Sequence, residues 1–425
     1  MKKLIMMFLF LILPAVLFAG QVIAPGEVLD LDKCITIAIA NHPQIIAAQS
    51  NYEASRATTG QAKSAYLPQL NATATYSKYD QDTGYDINQS GPFDKYETGV
   101  NMNLMLYDFG RTPSQVGVRR YETDSSSADY SDTKSQVILG VKNAYYGLLQ
   151  SKDNLDANSF TVEKFEQHLQ MAKKLHEVGL KPTIDVTKAE VDLGQSKLDL
   201  IKAMNTFLSN KLVLANAMGI EISPKFEINP SPKFIDVSID ENAALSKAYD
   251  NRSDLKSAKA KADAAAMNVK LANSGHYPIL NGVAGYGWLG NDFPLLKEWN
   301  AGANLTIPIF TGFNVKYSVE EAKAKQKSQM ANIELIRQNI RLDVTQALLS
   351  ITEVRKRIDV ARETLVYAKQ NRELAEGRYA EGVGNAVEVT DAITSEKTTL
   401  TAYASALYDY RTAVAHLEKA MGELK

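Results

Sequence analysis

The sequence predicts a protein of the α plus transmembrane β class, in which long coiled-coil helices are joined to strands typical of membrane β-barrels. Three observations predict it. The chain repeats itself once, with the same order of patterns in both copies. Each copy contains segments in which apolar and polar residues alternate with a period of two. Each copy also contains a long proline-free stretch with apolar residues at every seventh position.

The internal duplication is visible at two constant offsets. Residues 29–76 align with residues 239–286 at an offset of 210, and from Gly99 onward the offset is 203. Matched pairs include Asn41 with Asn251, Pro68 with Pro278, Gly99 with Gly302, and Gly179 with Gly382. The two copies therefore indicate one pseudo-repeated architecture. The predicted boundaries are residues 29–219 for repeat one, 220–238 for a proline-containing linker, and 239–422 for repeat two.

The first residues have the layout of a secretory signal peptide. Lys2 and Lys3 precede an apolar run from Leu4 to Phe18, and small residues follow. We assign residues 1–19 to this signal, and a retained membrane anchor is the alternative. The chain has 47 Lys and Arg against 49 Asp and Glu. This balance argues against a nucleic-acid-binding protein, which would present clustered basic faces.

Four segments of about ten residues have the length and two-faced pattern of tilted transmembrane strands. In the first, Leu70, Ala72, Ala74 and Tyr76 alternate with Asn71, Thr73, Thr75 and Ser77. Aromatic residues near the strand ends fit an interfacial girdle: Tyr76, Tyr96, Trp288 and Trp299. A half-buried sheet in a soluble domain is the alternative. The predicted membrane strands are residues 69–78, 95–107, 279–289 and 299–309.

Two helices are predicted to be far longer than a globular core requires. In repeat one, apolar residues recur at heptad spacing at Val141, Leu148, Leu155, Val162 and Leu169. In repeat two they recur at Val344, Ile351, Ile358 and Leu365. A helix of about 65 residues would reach about 100 Å. These helices are expected to end at Gly179 and Gly382, and returning helices are expected over residues 184–218 and 386–421.

Four strands cannot close a barrel, and an open sheet edge is not tolerated in lipid. The subunits must therefore pool their strands, and three of them would supply twelve. We accordingly predict a trimeric 12-stranded β-barrel with four strands per subunit, joined to a water-soluble α-helical coiled-coil barrel. The polar strand faces, which include Asn71, Asn101 and Asn304, are predicted to line the pore.

Several short motifs occur in the same order in both copies. The most specific are the run from Arg378 to Gly382 (RYAEG) and the run from Val387 to Ala392 (VEVTDA). Others are Asn41-His42-Pro43, Tyr66-Leu67-Pro68, and the run from Leu106 to Arg111 (LYDFGR) with its partner from Ile309 to Gly312 (IFTG). Over nearly its whole mature length the chain thereby resembles the TolC family of outer-membrane efflux proteins.

The resemblance implies the exit duct of a tripartite efflux or type I secretion system. It implies a homotrimer in outer-membrane lipid with a large periplasmic portion. It also implies a periplasmic adaptor (membrane fusion) protein and an inner-membrane pump of the RND, ABC or MFS class as partners. The pump class stays open, and so does the cargo, which could be a drug, a metal ion, a siderophore or a polypeptide.

The resemblance also implies roles for residues at the ends of the helix hairpins. Glu388 and Asp391 match an acidic ring at the constriction, and Tyr379 and Asp185 match a latch that holds the pore closed. The latch arginine of the family is missing, because residues 383–386 read Val-Gly-Asn-Ala. We consider Lys181 as its substitute. The hairpins expected to dock the adaptor contain Gly179, Lys181, Gly382 and Asn385.

Other functional motifs are rejected. Residues 285–290 fit the dinucleotide pattern G-x-G-x-x-G, but they lie in a predicted strand and do not open a helix. The five histidines lack metal-ligand spacing, and we predict neither a metal nor a cofactor. Two other classes remain as alternatives, namely a soluble periplasmic coiled-coil scaffold and an enzyme that uses Glu388 and Asp391 as a carboxylate pair. We predict that the chain is not an enzyme.

Overall fold

The computed structural model describes residues 28–81, 91–220, 226–229 and 240–424. The predicted signal peptide and most of the predicted linker lie outside the described residues. The chain divides into two compact units. The first unit contains the chain up to Pro43, Val137–Ile235 and Val354–Thr412. The second unit contains Gln44–Gln136, Asp236–Glu353 and Ala413–Lys425.

The elements occur in the same order twice, which confirms the predicted duplication. The first copy contains β1 (Val28–Leu29), α1 (Leu31–Asn41), α2 (Pro43–Lys63), β2 (Gln69–Gln81), β3 (Gly91–Tyr107), α3 (Arg111–Glu177) and α4 (Thr183–Ala217). The second contains β4 (Glu227–Ile228), α5 (Glu241–Asn251), α6 (Ser253–Asn273), β5 (Ile279–Gly290), β6 (Leu296–Thr306), α7 (Asn314–Ala380) and α8 (Ala386–Ala420). The long helices α3 and α7 each have 67 residues, and the returning helices α4 and α8 each have 35.

Each copy opens with a short helix that the sequence patterns did not predict. The helix α1 ends at Asn41, and α2 begins at Pro43. The Asp30 side chain caps α1 by accepting a hydrogen bond from the Lys33 backbone N–H at 2.8 Å. Proline lacks an N–H and fits the first position of a helix, so α1 ends and α2 begins at this point.

The described sheet of the second unit has the strand order β2-β3-β5-β6, and all neighbouring strands are antiparallel. Its register pairs residues of like polarity. One row across the sheet contains Leu70, Met102, Ala284 and Ala301. The next row contains Asn71, Asn101, Gly285 and Asn300. Because successive residues of a strand point to opposite faces, one face is mainly apolar and the other mainly polar.

The strand bounds differ from the predicted ones, most of all for the fourth strand. It was predicted over residues 299–309, but β6 is Leu296–Thr306. Leu296 pairs with Leu289 and Thr306 pairs with Ile279, so the ladder to β5 uses residues before the predicted start. Pro308 lies just beyond the end of β6, and it has no N–H to donate to a ladder. The pairing of β2 with β3 also extends beyond the predicted ends, to Gln81 opposite Gly91.

The glycines of the rejected dinucleotide motif lie inside β5, where close neighbours exclude a side chain. A Cβ at Gly285 would lie 2.4 Å from the Asn300 amide oxygen. A Cβ at Gly287 would lie 2.4 Å from the Thr98 carbonyl oxygen. These contacts explain why β5 alternates less cleanly than the other strands.

The predicted heptad seams of the long helices are buried at Val141, Leu148, Val344, Ile351 and Ile358 and partly buried at Leu155, Val162, Leu169 and Leu365. Val141, Leu148, Val344 and Ile358 are each at most 1% exposed. The seams therefore pack as the sequence predicts for a coiled coil. Within the described ranges, none of the helices combines the length and apolarity that crossing a membrane requires.

Candidate functional site

The hairpin ends of the first unit turn through glycines in the left-handed conformation. Gly179 has φ +77° and Gly382 has φ +79°. In the first turn the Leu180 N–H donates to the Leu175 carbonyl at 2.9 Å, and in the second the Val383 N–H donates to the Arg378 carbonyl at 3.1 Å. Both turns are Schellman-type caps, in which a side chain at the glycine position would be strained.

In the second turn, Gly384 and Asn385 lie between Val383 and the start of α8. The side-chain oxygen of Asn385 accepts a hydrogen bond from the Val387 N–H at 3.0 Å and so caps α8. A Cβ at Gly384 would lie 2.9 Å from the Tyr379 nitrogen, so a close approach of backbone requires glycine there. Asn385, predicted as a docking residue, therefore has a local structural task as well.

Tyr379 lies in a small apolar core at the hairpin ends and is 1% exposed. Its hydroxyl donates to the Asp185 carboxylate at 3.3 Å, which joins α7 to α4. Burial, together with the nearby Asp185 carboxylate, raises the pKa of Tyr379 to about 12, so its hydroxyl stays protonated as a donor. The core contains Phe165, Ala172, Leu175, Ala189, Ala375, Tyr379, Ala386, Val389, Ala392 and Ile393.

Lys181 joins the two turns directly. Its ammonium group donates to the Gly384 carbonyl at 2.6 Å and lies 5.2 Å from the centre of the Tyr379 ring. A charge-assisted hydrogen bond and a cation–π contact therefore converge on one side chain. The structure thus brings together three of the predicted residues, Lys181, Asp185 and Tyr379.

The two predicted acidic residues are placed differently. Glu388 and Asp391 lie near the start of α8 and are both exposed. The Glu388 carboxylate lies 3.8 Å from the Arg378 guanidinium, and both side chains are at least half exposed. Asp391 is exposed three residues further along the same helix.

Two polar contacts between α4 and α8 were not predicted. The Thr390 hydroxyl donates to Asp192 at 2.8 Å, and the Lys397 ammonium donates to Asp199 at 3.0 Å. The Lys397 contact lowers the pKa of Asp199. These pairs are one heptad apart on both helices, and this spacing is the sequence signal that could have indicated them.

A buried ion pair joins α7 to α8 and was also missed. Arg372 and Glu396 are bonded to each other, with side-chain exposures of 7% and 8%. The Arg372 guanidinium also lies 5.8 Å from the centre of the Phe160 ring on α3. Arg372 lies two heptads after Ile358, at a position where the heptad pattern predicts an apolar residue. A charged residue at such a position could have indicated a buried ion pair.

Among the described residues, no group of three or more His, Cys, Asp and Glu side chains is placed to hold a metal ion. The residues of the hairpin ends instead form a network of inter-helix hydrogen bonds around one buried tyrosine. Such an arrangement can hold the ends of two helix hairpins together.

The sequence and fold match known proteins over almost the whole chain. A family model described as outer membrane efflux protein matches residues 34–220 and 244–423, one match to each repeat. Outer membrane protein TolC of Vibrio cholerae is 26% identical and covers 93% of this chain and 91% of its own length. The toluene efflux pump outer membrane protein TtgF of Pseudomonas putida is 23% identical and covers 85% and 76%.

Solved structures show the same fold. The CmeC outer membrane channel of Campylobacter jejuni has a TM-score of 0.83 at 19% identity, covering 92% of this chain and 85% of that one. The open state of the MtrE outer membrane channel of Neisseria gonorrhoeae has a TM-score of 0.78 at 21% identity, covering 93% and 89%. The chain therefore has the fold of these outer membrane channels. With both repeats matched, the chain belongs to the outer membrane efflux protein family.

Proposed function

We propose that this protein is a passive exit duct in the outer membrane, formed by three copies and opened by a periplasmic adaptor and an inner-membrane pump. The sheet carries this proposal. Its outer strands, β2 and β6, have no further strand partner among the described residues. Its apolar face is exposed, with Leu70 at 65%, Trp299 at 75% and Leu305 at 55%.

An exposed apolar face with two open edges is stable in lipid only if the edges are paired. Three copies would pair β6 of each chain with β2 of the next and close a barrel of twelve strands. The polar rows would then line the pore, among them Asn71, Asn101 and Asn300.

The helices of the first unit support assembly of several copies independently. On α4, three apolar residues spaced by seven are exposed: Ile184 at 72%, Val191 at 65% and Leu198 at 54%. On α7, three more are exposed with the same spacing: Val360 at 65%, Tyr367 at 59% and Leu374 at 68%. We call these the α4 stripe and the α7 stripe. A heptad stripe is the surface that one coiled-coil helix presents to another, so each fits a helix of a neighbouring copy.

The hairpin ends serve as the gate in this proposal. The bond from Tyr379 to Asp185 and the bond from Lys181 to Gly384 hold α3–α4 and α7–α8 together. Lys181 supplies the cation that the family's missing latch arginine would supply, and it does so from the opposite hairpin. Opening then requires these contacts to break, which an adaptor could drive by binding the hairpin turns.

The exposed acids fit a ring at the pore axis. Three copies of Glu388 and Asp391 around a narrow opening would concentrate negative potential and favour cations. The alternative roles fit the geometry less well. An acid–base pair for catalysis needs two carboxylates that face one cleft, whereas Glu388 faces Arg378 and both acids are open to solvent. We therefore propose that the protein is a conduit and not an enzyme.

The membrane placement is tested by charge on the two strand faces. Leu305 pairs with Leu280 on the apolar face, and Asn304 pairs with Asn281 on the polar face. Leu305→Arg should reduce the amount of trimer in the outer membrane, because a charged side chain on the lipid face destabilises a membrane strand. Asn304→Arg is the matched control and should assemble normally. Equal assembly of both variants, or extraction of the protein without detergent, would support the soluble scaffold instead.

The docking surface is tested by photo-crosslinking in intact cells. The probe is placed at Leu180, which is 63% exposed, and at Val383, which is 75% exposed, because both side chains project from the turns into solvent. Cross-links to a membrane fusion protein identified by mass spectrometry are expected from both sites. A probe at Lys202 on α4, whose side chain is 76% exposed, serves as the control outside the turns. Equal capture from Lys202, or none from either turn, would contradict docking at the turns.

A further inference from the structure

A histidine is buried against the proposed gate tyrosine. His168 on α3 is 6% exposed, and the centre of its ring lies 4.9 Å from the centre of the Tyr379 ring. It belongs to the buried face of α3, between Phe165 at 5% and Ala172 at 0% exposure. A titratable side chain therefore lies in the core and contacts Tyr379, whose hydroxyl bonds to Asp185.

The imidazole has a nitrogen that the surrounding protein leaves unpaired. Its Nε2 atom is buried and has no hydrogen-bond partner among the described residues. It borders a pocket of about 150 Å³ that is also lined by Gln167, Met171, Glu376, Tyr379 and Val389. Such a site accommodates a neutral imidazole at the cost of one unmade hydrogen bond, whereas a charged imidazolium would lose its hydration as well.

The carboxylates around His168 are already bonded to other side chains. From α4, Asp185 accepts from Tyr379, and Asp192 accepts from Thr390 and pairs with Lys188. From α7, the Glu376 carboxylate is bonded to Arg372. From α8 the pocket receives the uncharged Val389, and from α3 it receives the uncharged Gln167 and Met171. Burial lowers the pKa of His168, against a raising effect of Asp192 and Asp185.

We propose that His168 makes the closed hairpin ends sensitive to protons, so that a neutral imidazole packs against Tyr379 and a protonated one favours release of the hairpins. The inference rests on the proposed gate, because Tyr379 and Asp185 are the contact that would be released. In this scheme His168 is a positioning residue. It acts through Tyr379 and needs no contact with the cargo.

The direction follows from proton linkage. The packed state binds the His168 proton more weakly than a state in which the imidazole is hydrated and has its ordinary pKa near 6.5. The contribution of His168 to closure is therefore fully present above about pH 6.5 and is lost as the pH falls below that value. Each unit by which the packed pKa is lowered changes the closed-to-open ratio by up to about tenfold.

The test measures the open probability of the purified trimer in planar bilayers from about pH 7.5 to about pH 5.5, the range in which histidine is the side chain with an ordinary pKa. The wild-type open probability should rise several-fold towards the acid end. His168→Gln and His168→Phe, one polar and one apolar replacement that cannot be protonated, should both flatten this rise. His276→Gln removes an exposed histidine and should leave the rise unchanged.

The outcomes separate this inference from the gate itself. Tyr379→Phe at about pH 7.5, where imidazole is mostly neutral, should raise the open probability if the Tyr379–Asp185 bond holds the gate. An unchanged Tyr379→Phe variant would contradict the proposed gate. If Tyr379→Phe raises the open probability but the His168 variants still follow the wild-type pH profile, the proposed role of His168 is wrong. Heat-modifiable trimers in gels confirm that each variant is assembled before it is recorded.

Discussion

At the hairpin ends, one lysine side chain makes the contact that joins two turns. Lys181 and Gly384 are 203 positions apart, which is the repeat offset, so the lysine of one copy bonds to the matching turn of the other. The same side chain covers the ring of Tyr379. Pseudo-symmetry therefore places the two turns side by side, and a single residue that differs between the copies links them.

Lys181→Met should open the gate at neutral pH. Removing a charge-assisted hydrogen bond costs the closed state about 1.5–3 kcal/mol, which corresponds to an increase in open probability on the order of tenfold or more. Bilayer conductance measures it. Lys181→Arg should stay closed, since it keeps the charge and donors, and Lys174→Met should behave as wild type. A Lys181→Met channel with wild-type conductance would show that Lys181 does not hold the turns.

Replacing both Glu388 and Asp391 with Ala should weaken the preference of the pore for cations. The physical reason is that three copies of each acid supply the negative potential at the proposed constriction. Reversal potentials in a salt gradient measure this preference. Glu381→Ala, an exposed acid in the turn itself, is the control. Unchanged selectivity in the double variant would remove both acids from the constriction.

At the scale of the elements, the two helix hairpins differ in one buried layer. Arg372 and Glu396 lie in the seam between α7 and α8, at the positions that match Leu169 and Leu193 in repeat one. In the α7–α8 hairpin this layer is therefore a salt bridge, whereas in the α3–α4 hairpin it consists of leucines. The ion pair restricts α7 and α8 to one relative register, because a slip would separate two buried charges.

Arg372→Leu alone should destabilise the trimer by about 3–5 kcal/mol, because it leaves Glu396 buried without its partner. The double variant Arg372→Leu with Glu396→Leu copies the layer of repeat one and should recover most of this loss. The midpoint of heat dissociation measures both. Arg362→Leu removes an exposed pair with Asp359 and should change the midpoint little. A double variant as unstable as the single one would mean that the pair is not replaceable by apolar packing.

In the whole molecule, one chain leaves large apolar side chains exposed on its sheet and on two of its long helices. The sheet has an exposed apolar face and two open edges, and the α4 and α7 stripes are exposed along their helices. Contiguous apolar surfaces of this kind mark interaction sites. In the proposed trimer, lipid covers the sheet face and neighbouring helices cover the stripes.

Leu374→Asp in the α7 stripe should prevent assembly of the trimer, because it would bury a charge between helices of neighbouring copies. Trimer bands in gels without heating measure the assembly. Lys369→Asp changes an exposed residue of α7 outside the stripe and is the matched control. Normal trimers of the Leu374 variant would place the interface between copies on another helix face.

The duplicated plan, the long helices and the two-faced strands could be predicted from sequence patterns. These features are periodic, because helix and strand geometry repeats along the chain, so patterns of seven and two reveal them. Prediction was less reliable where a pattern ends. The start of β6 at Leu296 and the break at Pro43 depended on pairing and on missing donors.

The contacts that hold the hairpin ends together became visible in the folded chain. The family resemblance implied roles for Tyr379 and Asp185, and the structure supplied their bond and the Lys181 contact to Gly384. Nothing periodic indicated that His168 would pack against Tyr379, because the two residues lie on helices far apart in the chain. Contacts of this kind depend on the relative placement of α3, α4, α7 and α8, which the sequence of each helix alone does not specify.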